Sequence, residues 1–330
     1  MVQNFLAHDF DRISSAGLAT DLPSFDLTVL SSQHADAHLL VSQNDKITAR
    51  CSLWWKTTPA LASQSIGYIG HYAAANAGDA DSLLEEAKKW LREQGCVLAV
   101  GPMDGNTWRR YRLVTDAGKE PPFFLEPTNP TEWPDHFNNA GFTPLAEYYS
   151  ALNRNLSYSD PRMARAEKRL KDEGIAIRSF RPNVFLDELK KIYAVSAISF
   201  TSNFLYTPLD EASFIAQYQA IEALIDPRFI FIAEHDGKPV GYIFAIPDHA
   251  QARRGHQVDT VILKTVAVLP GRASAGLGSV LVDKVHLTAH GLGFRQAIHA
   301  LMHETNKSRN ISGHYAQTIR RYTLFAHRLG

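Results

Sequence analysis

Short apolar runs separated by polar turns divide the first half of the chain into strands and helices. Runs at 38–42 and 47–55 flank Gln43-Asn44-Asp45, where Asn and Asp tolerate a left-handed backbone, so this arrangement predicts a hairpin. A helix is predicted at 81–94, because Leu83, Ala87 and Leu91 fall on one face. The same patterns predict strands at 65–72, 96–100 and 145–152 and a short helix at 129–139.

A charged segment at 160–173 joins this half to the next. Asp160 is placed to cap a helix, and a proline follows it at the first helical position. Only Met163, Ala166 and Leu170 form an apolar stripe, while acids alternate with the basic residues and aromatics are absent. We therefore expect a solvated linker helix rather than a nucleic-acid-binding surface.

The second half repeats the order of the first. Strands are predicted at 175–180, 229–234, 240–247, 260–269, 295–302 and 319–326, and helices at 184–200, 210–224, 279–290 and 307–316. Each half thus runs hairpin, long strand, loop, helix, strand, short helix and strand, which indicates a divergent internal duplication.

Composition narrows the class of protein. The chain has 330 residues, and at about 150 residues per domain this predicts two domains. Lys and Arg total 34, as do Asp and Glu, so no basic excess favours nucleic acid. Two cysteines do not make a disulfide framework, and even the most apolar strand contains Lys264, so no membrane span is predicted. We expect a cytoplasmic protein with no nucleic-acid or membrane partner and no metal.

The loop after the strand at 260–269 carries the most informative chemistry. It ends in Gly276-Leu277-Gly278 at a helix start, where free N–H groups and the helix dipole favour an anion such as pyrophosphate. Arg272 is a second phosphate candidate, and no acid lies between 269 and 282. A P-loop would need Gly-Lys-Ser/Thr, and a dinucleotide fingerprint would need glycine where Leu281 stands.

This half, over about 175–329, resembles the GNAT superfamily of acyl-CoA-dependent N-acyltransferases. The resemblance rests on the predicted hairpin at 231–242, the strand ending Val266-Ala267-Val268-Leu269-Pro270, the glycine loop, and Asn306 before a short helix and closing strand. The family loop begins with Arg or Gln, where this chain has Ala273, and Arg272 lies one residue early. The implied fold is α+β: two GNAT-like domains, each a mixed, mostly antiparallel sheet flanked by helices.

The resemblance also implies a set of residues that bind acetyl-CoA or another acyl-CoA. The main chain of the strand would hold the pantetheine, the loop and helix start the pyrophosphate, and Asn306 and Ser308 the pantetheine arm. These candidates are Val266, Ala267, Val268, Arg272, Ala273, Ser274, Ala275, Gly276, Leu277, Gly278, Ser279, Asn306 and Ser308.

Amine acylation requires a neutral amine and a proton source for the departing thiolate. Glu304 follows the strand expected to diverge from 260–268, and Tyr315 lies on the short helix where the family often has its acid. These two are the catalytic candidates, with His303, Tyr322 and Ser308 as weaker ones.

The acceptor is expected to meet two loops. Phe204 and Tyr206 lie between the first two helices of the second half, and Asp248 follows the hairpin. These are the substrate-binding candidates for a small-molecule or peptide amine. The segment 101–112, dense in arginine and aromatics, is either a lid or acceptor pocket that reads a carboxylate or phosphate, or an inter-domain packing loop.

The corresponding loop of the first half, 73–81, has one glycine, no arginine, and Asp79 and Asp81 at the helix start, where carboxylates repel phosphate. We therefore divide the chain into a degenerate GNAT-like domain at 1–156, a linker helix at 157–174 and a CoA-binding GNAT domain at 175–330. The predicted activity is acyl-CoA-dependent N-acyl transfer by direct attack of an amine, with acetyl-CoA as the simplest donor. A non-catalytic acyl-CoA-binding protein and an aminoacyl-tRNA-dependent transferase are the alternatives.

Overall fold

A computed structural model describes residues 1–6, 22–23, 30, 32–158, 160–271, 274–305 and 316–330. The strands are β1 (Val2–Leu6), β2 (Ala37–Gln43), β3 (Lys46–Trp54), β4 (Ile66–Ala74), β5 (Leu98–Gly101), β6 (Leu113–Asp116), β7 (Thr143–Asn153), β8 (Ile175–Ser179), β9 (Ile230–His235), β10 (Lys238–Pro247), β11 (Thr260–Val268), β12 (Gln296–His303) and β13 (Gln317–Arg328). The helices are α1 (Ala77–Glu93), α2 (Trp133–Asn139), α3 (Pro161–Asp172), α4 (Phe185–Ser199), α5 (Glu211–Gln219), α6 (His249–Arg253) and α7 (Leu277–Gly291).

The strands form one mixed sheet that runs through both halves of the chain. Its order is β1-β2-β3-β4-β5-β13-β7-β12-β11-β10-β9-β8, and β6 pairs with β13 beside this path. Neighbours are antiparallel apart from two parallel pairs, β4 with β5 and β11 with β12. Helices flank this mostly antiparallel sheet, and the predicted fold class, two GNAT-like units in tandem, is confirmed.

The closing strands of the two halves are exchanged. β7 belongs to the first half in sequence but pairs with β12 of the second half. β13 ends the second half but pairs with β5 of the first. The two exchanged strands also pair with each other, from Gln317 opposite Leu152 to Ala326 opposite Thr143. The division into domains at 156 and 174 remains a prediction about the chain, whereas each half of the sheet is completed by the other.

Turn residues and helix caps determine where several of these strands and helices begin and end. Asn44 and Asp45 have φ of 49° and 60°, so the predicted turn between β2 and β3 is present. Helix α1 begins four residues earlier than the predicted 81, because the Asn76 side chain accepts a hydrogen bond from the Asp79 N–H. The predicted helix at 210–224 is shorter: α5 ends at Gln219, and a turn of 3₁₀ helix follows at Glu222–Leu224.

Helices cover the sheet on both faces of the second half. α7 and the linker helix α3 share one core, in which the predicted stripe of Met163, Ala166 and Leu170 packs beside Leu281. α4 and α5 pack on the opposite face. None of the described helices is long and apolar enough to cross a bilayer. Most of the predicted helix at 307–316 lies outside the described residues.

Candidate functional site

The two parallel strands of the second half separate part-way along their length. β11 and β12 pair from Thr260 opposite Gln296 only as far as Leu263 opposite His299, although both continue beyond. Bulges on each strand account for the separation. Lys264 has no partner on β10, since the register passes from Thr265 directly to Leu263. The result is a V-shaped opening, which we call the second-half V.

The second bulge lies on β12. The register with β7 jumps from His299 to Met302, and Leu301 between them has a φ of 58°. The hydroxyl of Ser150, on the exchanged strand β7, accepts a hydrogen bond of 3.0 Å from the Leu301 N–H. The exchanged strand therefore satisfies the main-chain group that the bulge would leave without a partner.

The β11 side of the second-half V has main-chain groups free for a ligand. Within the described residues, Val266, Ala267 and Val268 are paired through the main chain with β10 alone, because β12 has diverged. The candidates predicted to hold the pantetheine therefore line the opening. Such an edge offers peptide N–H and C=O groups to the amides of an extended chain.

Helix α7 begins directly after the loop that follows β11. Its N-cap is Gly276, with a φ of 79° that glycine adopts without strain, and no side chain caps the helix. Leu277 is buried under the helix, whereas Ser274, Ala275 and the residues around Gly278 lie at the surface or near it. The first-turn N–H groups of an uncapped helix bind anions.

The linker helix contributes a basic residue that the sequence interpretation missed. Arg169 of α3 donates a hydrogen bond to the carbonyl of Ala275, and its guanidinium lies 3.7 Å from where a Gly276 Cβ would be. Helix α3 is held there by its apolar stripe and by an ion pair of 2.6 Å between Glu167 and Lys284 of α7. The helix predicted to be only a solvated connector therefore places a cation beside the glycine loop.

Five of the predicted site residues are not among those that the structure describes. They are Arg272, Ala273, Asn306, Ser308 and Tyr315. Their assigned contacts with phosphate, pantetheine and thiolate remain predictions.

The corresponding opening in the first half is filled by the chain itself. β4 and β5 pair from Ile66 to Tyr68 and then part, as β11 and β12 do. Here the Met103 N–H donates to the Ile69 carbonyl at 2.8 Å, and the Asp104 carboxylate accepts the His71 N–H at 2.6 Å. The approach is possible only because β4 has glycine at position 70, where an added Cβ would lie 2.2 Å from the Met103 carbonyl oxygen.

The start of α1 is also occupied from within. Asn76 caps the helix, and its side-chain amide donates a hydrogen bond of 2.7 Å to one carboxylate oxygen of Asp79. The Gln43 amide donates a hydrogen bond of 2.6 Å to the other carboxylate oxygen. Asp79 is buried, and it places negative charge where the dipole of α1 would attract an anion. Asn76, and not an aspartate, therefore caps α1, and Asp81 is exposed.

Glu304 lies at the end of β12 and is paired. Its carboxylate accepts a hydrogen bond of 2.7 Å from Arg321 on β13, and about a third of its side chain is exposed. The neighbouring His303 accepts the Thr305 N–H on Nδ1 at 3.2 Å, so a neutral ring carries its proton on Nε2. Burial, and then the charge of Arg112, lower the pKa of His303 and favour that neutral ring.

The predicted acceptor residues divide into two groups. The Phe204 ring lies 5.9 Å from the His303 ring, beside the second-half V, and Tyr206 lies 6.1 Å from Trp108. Asp248 is buried and caps α6, and it accepts the Phe124 N–H at 2.8 Å. Both Asp248 contacts are structural, and burial raises the pKa of its carboxyl.

A buried polar cluster lies between the exchanged strands and was not predicted as a unit. The Tyr322 hydroxyl donates to Glu126 and lies 2.9 Å from the Ser150 hydroxyl. Glu126 is paired with Arg320 at 2.7 Å, with both side chains almost wholly buried. Burial, reinforced by Glu126, raises the pKa of Tyr322, which therefore stays protonated. These residues stand far apart in sequence, and no local pattern links them.

Comparison with known proteins identifies the architecture. The model of the Acetyltransferase (GNAT) family matches residues 189–314. The tandem GNAT protein from the clavulanic acid biosynthesis pathway has a TM-score of 0.51 and 10% identity, covering 100% of this chain and 99% of that one. The GCN5-related N-acetyltransferase from Sphaerobacter thermophilus has a TM-score of 0.50 and 14% identity, covering 100% and 95%.

Sequence relatives are more distant. The bacterial ceramide synthase of Caulobacter vibrioides is 23% identical over 188 residues, or 56% of this chain and 49% of that protein. The chain spans about half the length of the curated relatives it matches.

Proposed function

We propose that this protein transfers an acyl group from acyl-CoA to the nitrogen of a primary amine, and the match of the GNAT acetyltransferase family model to residues 189–314 supports this. The second-half V is the proposed site of the thioester. The observation that carries this proposal is the continuity between a free strand edge at Val266, Ala267 and Val268 and the uncapped start of α7. One end suits the pantetheine amides and the other suits the pyrophosphate.

The proposed phosphate site combines neutral and charged donors. The N–H groups of Gly278 and Ser279 belong to the first turn of α7, which no side chain caps. Arg169 adds positive charge from α3 at the same loop. With Arg272 as the predicted second cation, the loop would bind pyrophosphate mainly through its main chain, which explains why the side-chain pattern differs from the family's usual one.

The chemistry proposed is direct attack. The amine nitrogen attacks the thioester carbonyl carbon, the C–S bond breaks, and the amide product forms as the sulfur leaves with its electron pair. The amine loses a proton and the thiolate gains one. Glu304 and Tyr315 are the proposed proton acceptor and donor. The Nε2–H of His303, next to the V, is a further donor for the carbonyl oxygen as negative charge develops on it.

Only the second half is proposed to bind CoA. In the first half the matching strand edge is bonded to Met103 and Asp104, and Asp79 is buried at the matching helix start. The acyl chain is left open between acetyl and longer groups, since one relative is named a ceramide synthase. Phe204 and Tyr206 are the proposed acceptor contacts, whereas Asp248 is occupied by the Phe124 N–H and by the start of α6.

Calorimetric titration with CoA, followed by a CoA-release assay with a panel of primary amines, tests the proposal. We expect one binding site and release of free thiol that depends on the amine. Binding without release for any amine would instead favour an acyl-CoA sensor. Absence of binding would overturn both.

A further inference from the structure

A buried arginine from the first half, Arg112, packs against Tyr148, whose ring contacts His303 beside the second-half V. Arg112 is 6% exposed, and its Nε and Nη1 have no hydrogen-bond partner in the described part of the protein. Its guanidinium lies 4.1 Å from the Tyr111 ring centroid and 4.2 Å from that of Tyr148. The two rings are nearly perpendicular and their centroids lie 5.6 Å apart, so they pack around one side of the guanidinium and do not cover both of its faces.

The backbone at this arginine is also unusual. Arg112 has a φ of 66°, a conformation that a non-glycine residue adopts at a cost, and its N–H is anchored to the Pro102 carbonyl at 2.9 Å. A strained residue that orients a buried cation suggests a function that the packing alone does not require.

A second cation lies on the other wall of the same opening. Lys264 is the bulged residue of β11, where the V begins, and among the described residues its ammonium donates one long hydrogen bond, 3.4 Å to the Leu125 carbonyl. Burial, and then the charge of Arg112, lower the pKa of Lys264 to about 8, although Glu126 opposes this shift. Contacts of the 125–126 segment connect the two cations: Leu125 accepts from Lys264, and the adjacent Glu126 accepts from Tyr322. The Tyr322 ring centroid lies 5.8 Å from the Arg112 guanidinium.

The nearby carboxylate does not neutralise this pair. Glu126 is held by Arg320 at 2.7 Å and by the Tyr322 hydroxyl, and it also accepts the Phe123 N–H. His303 faces Arg112 from β12, and its lowered pKa keeps it neutral. Two desolvated cations with one acid that is already paired leave a local excess of positive charge.

We propose that Arg112 and Lys264 form a subsite for a carboxylate, carried either by the acyl group or by the amine acceptor. This proposal rests on the proposed transferase function and adds the substrate class. A carboxylate would accept a hydrogen bond from Nε or from Nη1 of Arg112, which point to different sides of the guanidinium, and it would pair with the Lys264 ammonium. The subsite is shared between the halves: Arg112 and Tyr111 come from the first, Lys264 from the second, and Tyr148 from an exchanged strand.

Matched pairs of substrates separate the two sources of carboxylate. Succinyl-CoA and butyryl-CoA have acyl chains of the same length and differ in the terminal carboxylate. The pair γ-aminobutyrate and butylamine differs in the same way on the acceptor side. Each member is assayed by CoA release, and by calorimetry with either the free protein or, for the amines, the protein saturated with CoA.

We expect the carboxylate member of one pair to be preferred about 10- to 100-fold in kcat/KM or in Kd. Arg112→Met and Lys264→Met should each remove most of this preference. The matched controls, Arg328→Met and Lys238→Met at exposed positions, should retain it. An unchanged Kd for CoA shows that a variant is folded, and Arg112→Lys, which keeps the charge but loses the guanidinium, should reduce the preference in part.

If the two members of each pair have equal kcat/KM and equal Kd, the proposal of a carboxylate subsite is overturned. A preference that survives Arg112→Met and Lys264→Met would overturn it too. If no pair releases CoA, the transferase proposal fails, and the calorimetric preference alone decides whether the subsite exists.

Discussion

The second-half V and the corresponding opening of the first half have the same strand topology, but only the first-half opening is filled by residues that the structure describes. In each, a parallel pair of strands separates and a helix begins beside the opening. In the first half, Met103 and Asp104 bond the strand edge, and Asn76 caps the helix. In the second half, β12 has left the edge of β11, and Gly276 leaves α7 uncapped. The comparison teaches that main-chain and capping groups of the protein itself can fill an opening that the same topology leaves unfilled elsewhere in the described structure.

The largest effect on stability is expected from producing the two halves of the chain as separate fragments. Residues 1–156 and 157–330, produced as separate fragments, would each lack the strand that completes their sheet, β13 or β7. We expect neither fragment alone to show a cooperative thermal transition by circular dichroism, because an unpaired central edge remains exposed. Co-expression of the two should restore the transition. A monomeric, cooperatively melting 1–156 fragment would contradict the importance of the exchange.

Met103 and Asp104, which fill the opening of the first half, form what we call the plug. Gly70→Ala tests how closely β4 must approach it. The new methyl group would meet the Met103 main chain at 2.2 Å, a contact that requires backbone movement. We expect a loss of roughly 3 kcal/mol in the free energy of unfolding, measured by urea denaturation. Gly291→Ala, where nothing lies within 4 Å, is the control and should change stability by less than about 1 kcal/mol. Similar curves for both variants would show that the plug does not constrain β4.

A single substitution can give the start of α7 the negative charge that Asp79 places at the start of α1. Ser279 is the third residue of α7, as Asp79 is of α1. Ser279→Asp should weaken CoA binding about 10- to 30-fold, because a carboxylate in the first turn repels the pyrophosphate. Ser279→Asn has a similar shape without the charge and should bind within a few-fold of the original. Equal Kd values for both variants in calorimetry would place the phosphate elsewhere.

A pH profile tests whether the second opening uses Lys264. Its pKa in the free protein is lowered to about 8, so the ammonium is charged below that pH and neutral above it. Because Glu126 is already paired with Arg320, we expect the loss of the Lys264 charge to make the carboxylate preference in kcat/KM fall several-fold between about pH 7 and pH 9. Lys264→Met should give a flat preference over that range. A preference that rises with pH would contradict the role of the ammonium.

The smallest expected effect concerns Arg169. Its partly exposed guanidinium adds screened attraction at the glycine loop, so Arg169→Gln should weaken CoA binding about two- to five-fold, and less at high salt. Arg162→Gln on the same helix is the control, since Arg162 pairs with Asp160 at the other end. If both variants bind CoA alike across a salt series, α3 does not contribute to the phosphate site.

Local chemistry made much of the fold predictable from the sequence. The Asn44-Asp45 and Asp236-Gly237 turns have positive φ at all four residues, as such pairs favour, and they fixed both hairpins. The exchange of β7 and β13 was not predictable, because both closing strands have the same apolar pattern and a pattern does not name its partner strand. The glycine loop before α7 was likewise predicted from residues that are contiguous in the chain.

The rest of the site depends on contacts between distant segments. Arg112 belonged to a segment already distinguished by its arginines and aromatics, but only the fold shows which of its arginines is buried and unpaired. Lys264 could have been found from the sequence, since a lysine inside an otherwise apolar strand requires a reason. Arg169 gave no such signal, because an exposed arginine on a charged helix is ordinary.

The exchanged strands have a consequence for how the two halves can change. Two halves with separate sheets could each accept substitutions independently, limited by their own stability. Here the last strand of the first half supplies Ser150 to the bulge of β12 and Tyr148 to the wall of the second-half V. A substitution in the first half can therefore alter the opening in the second.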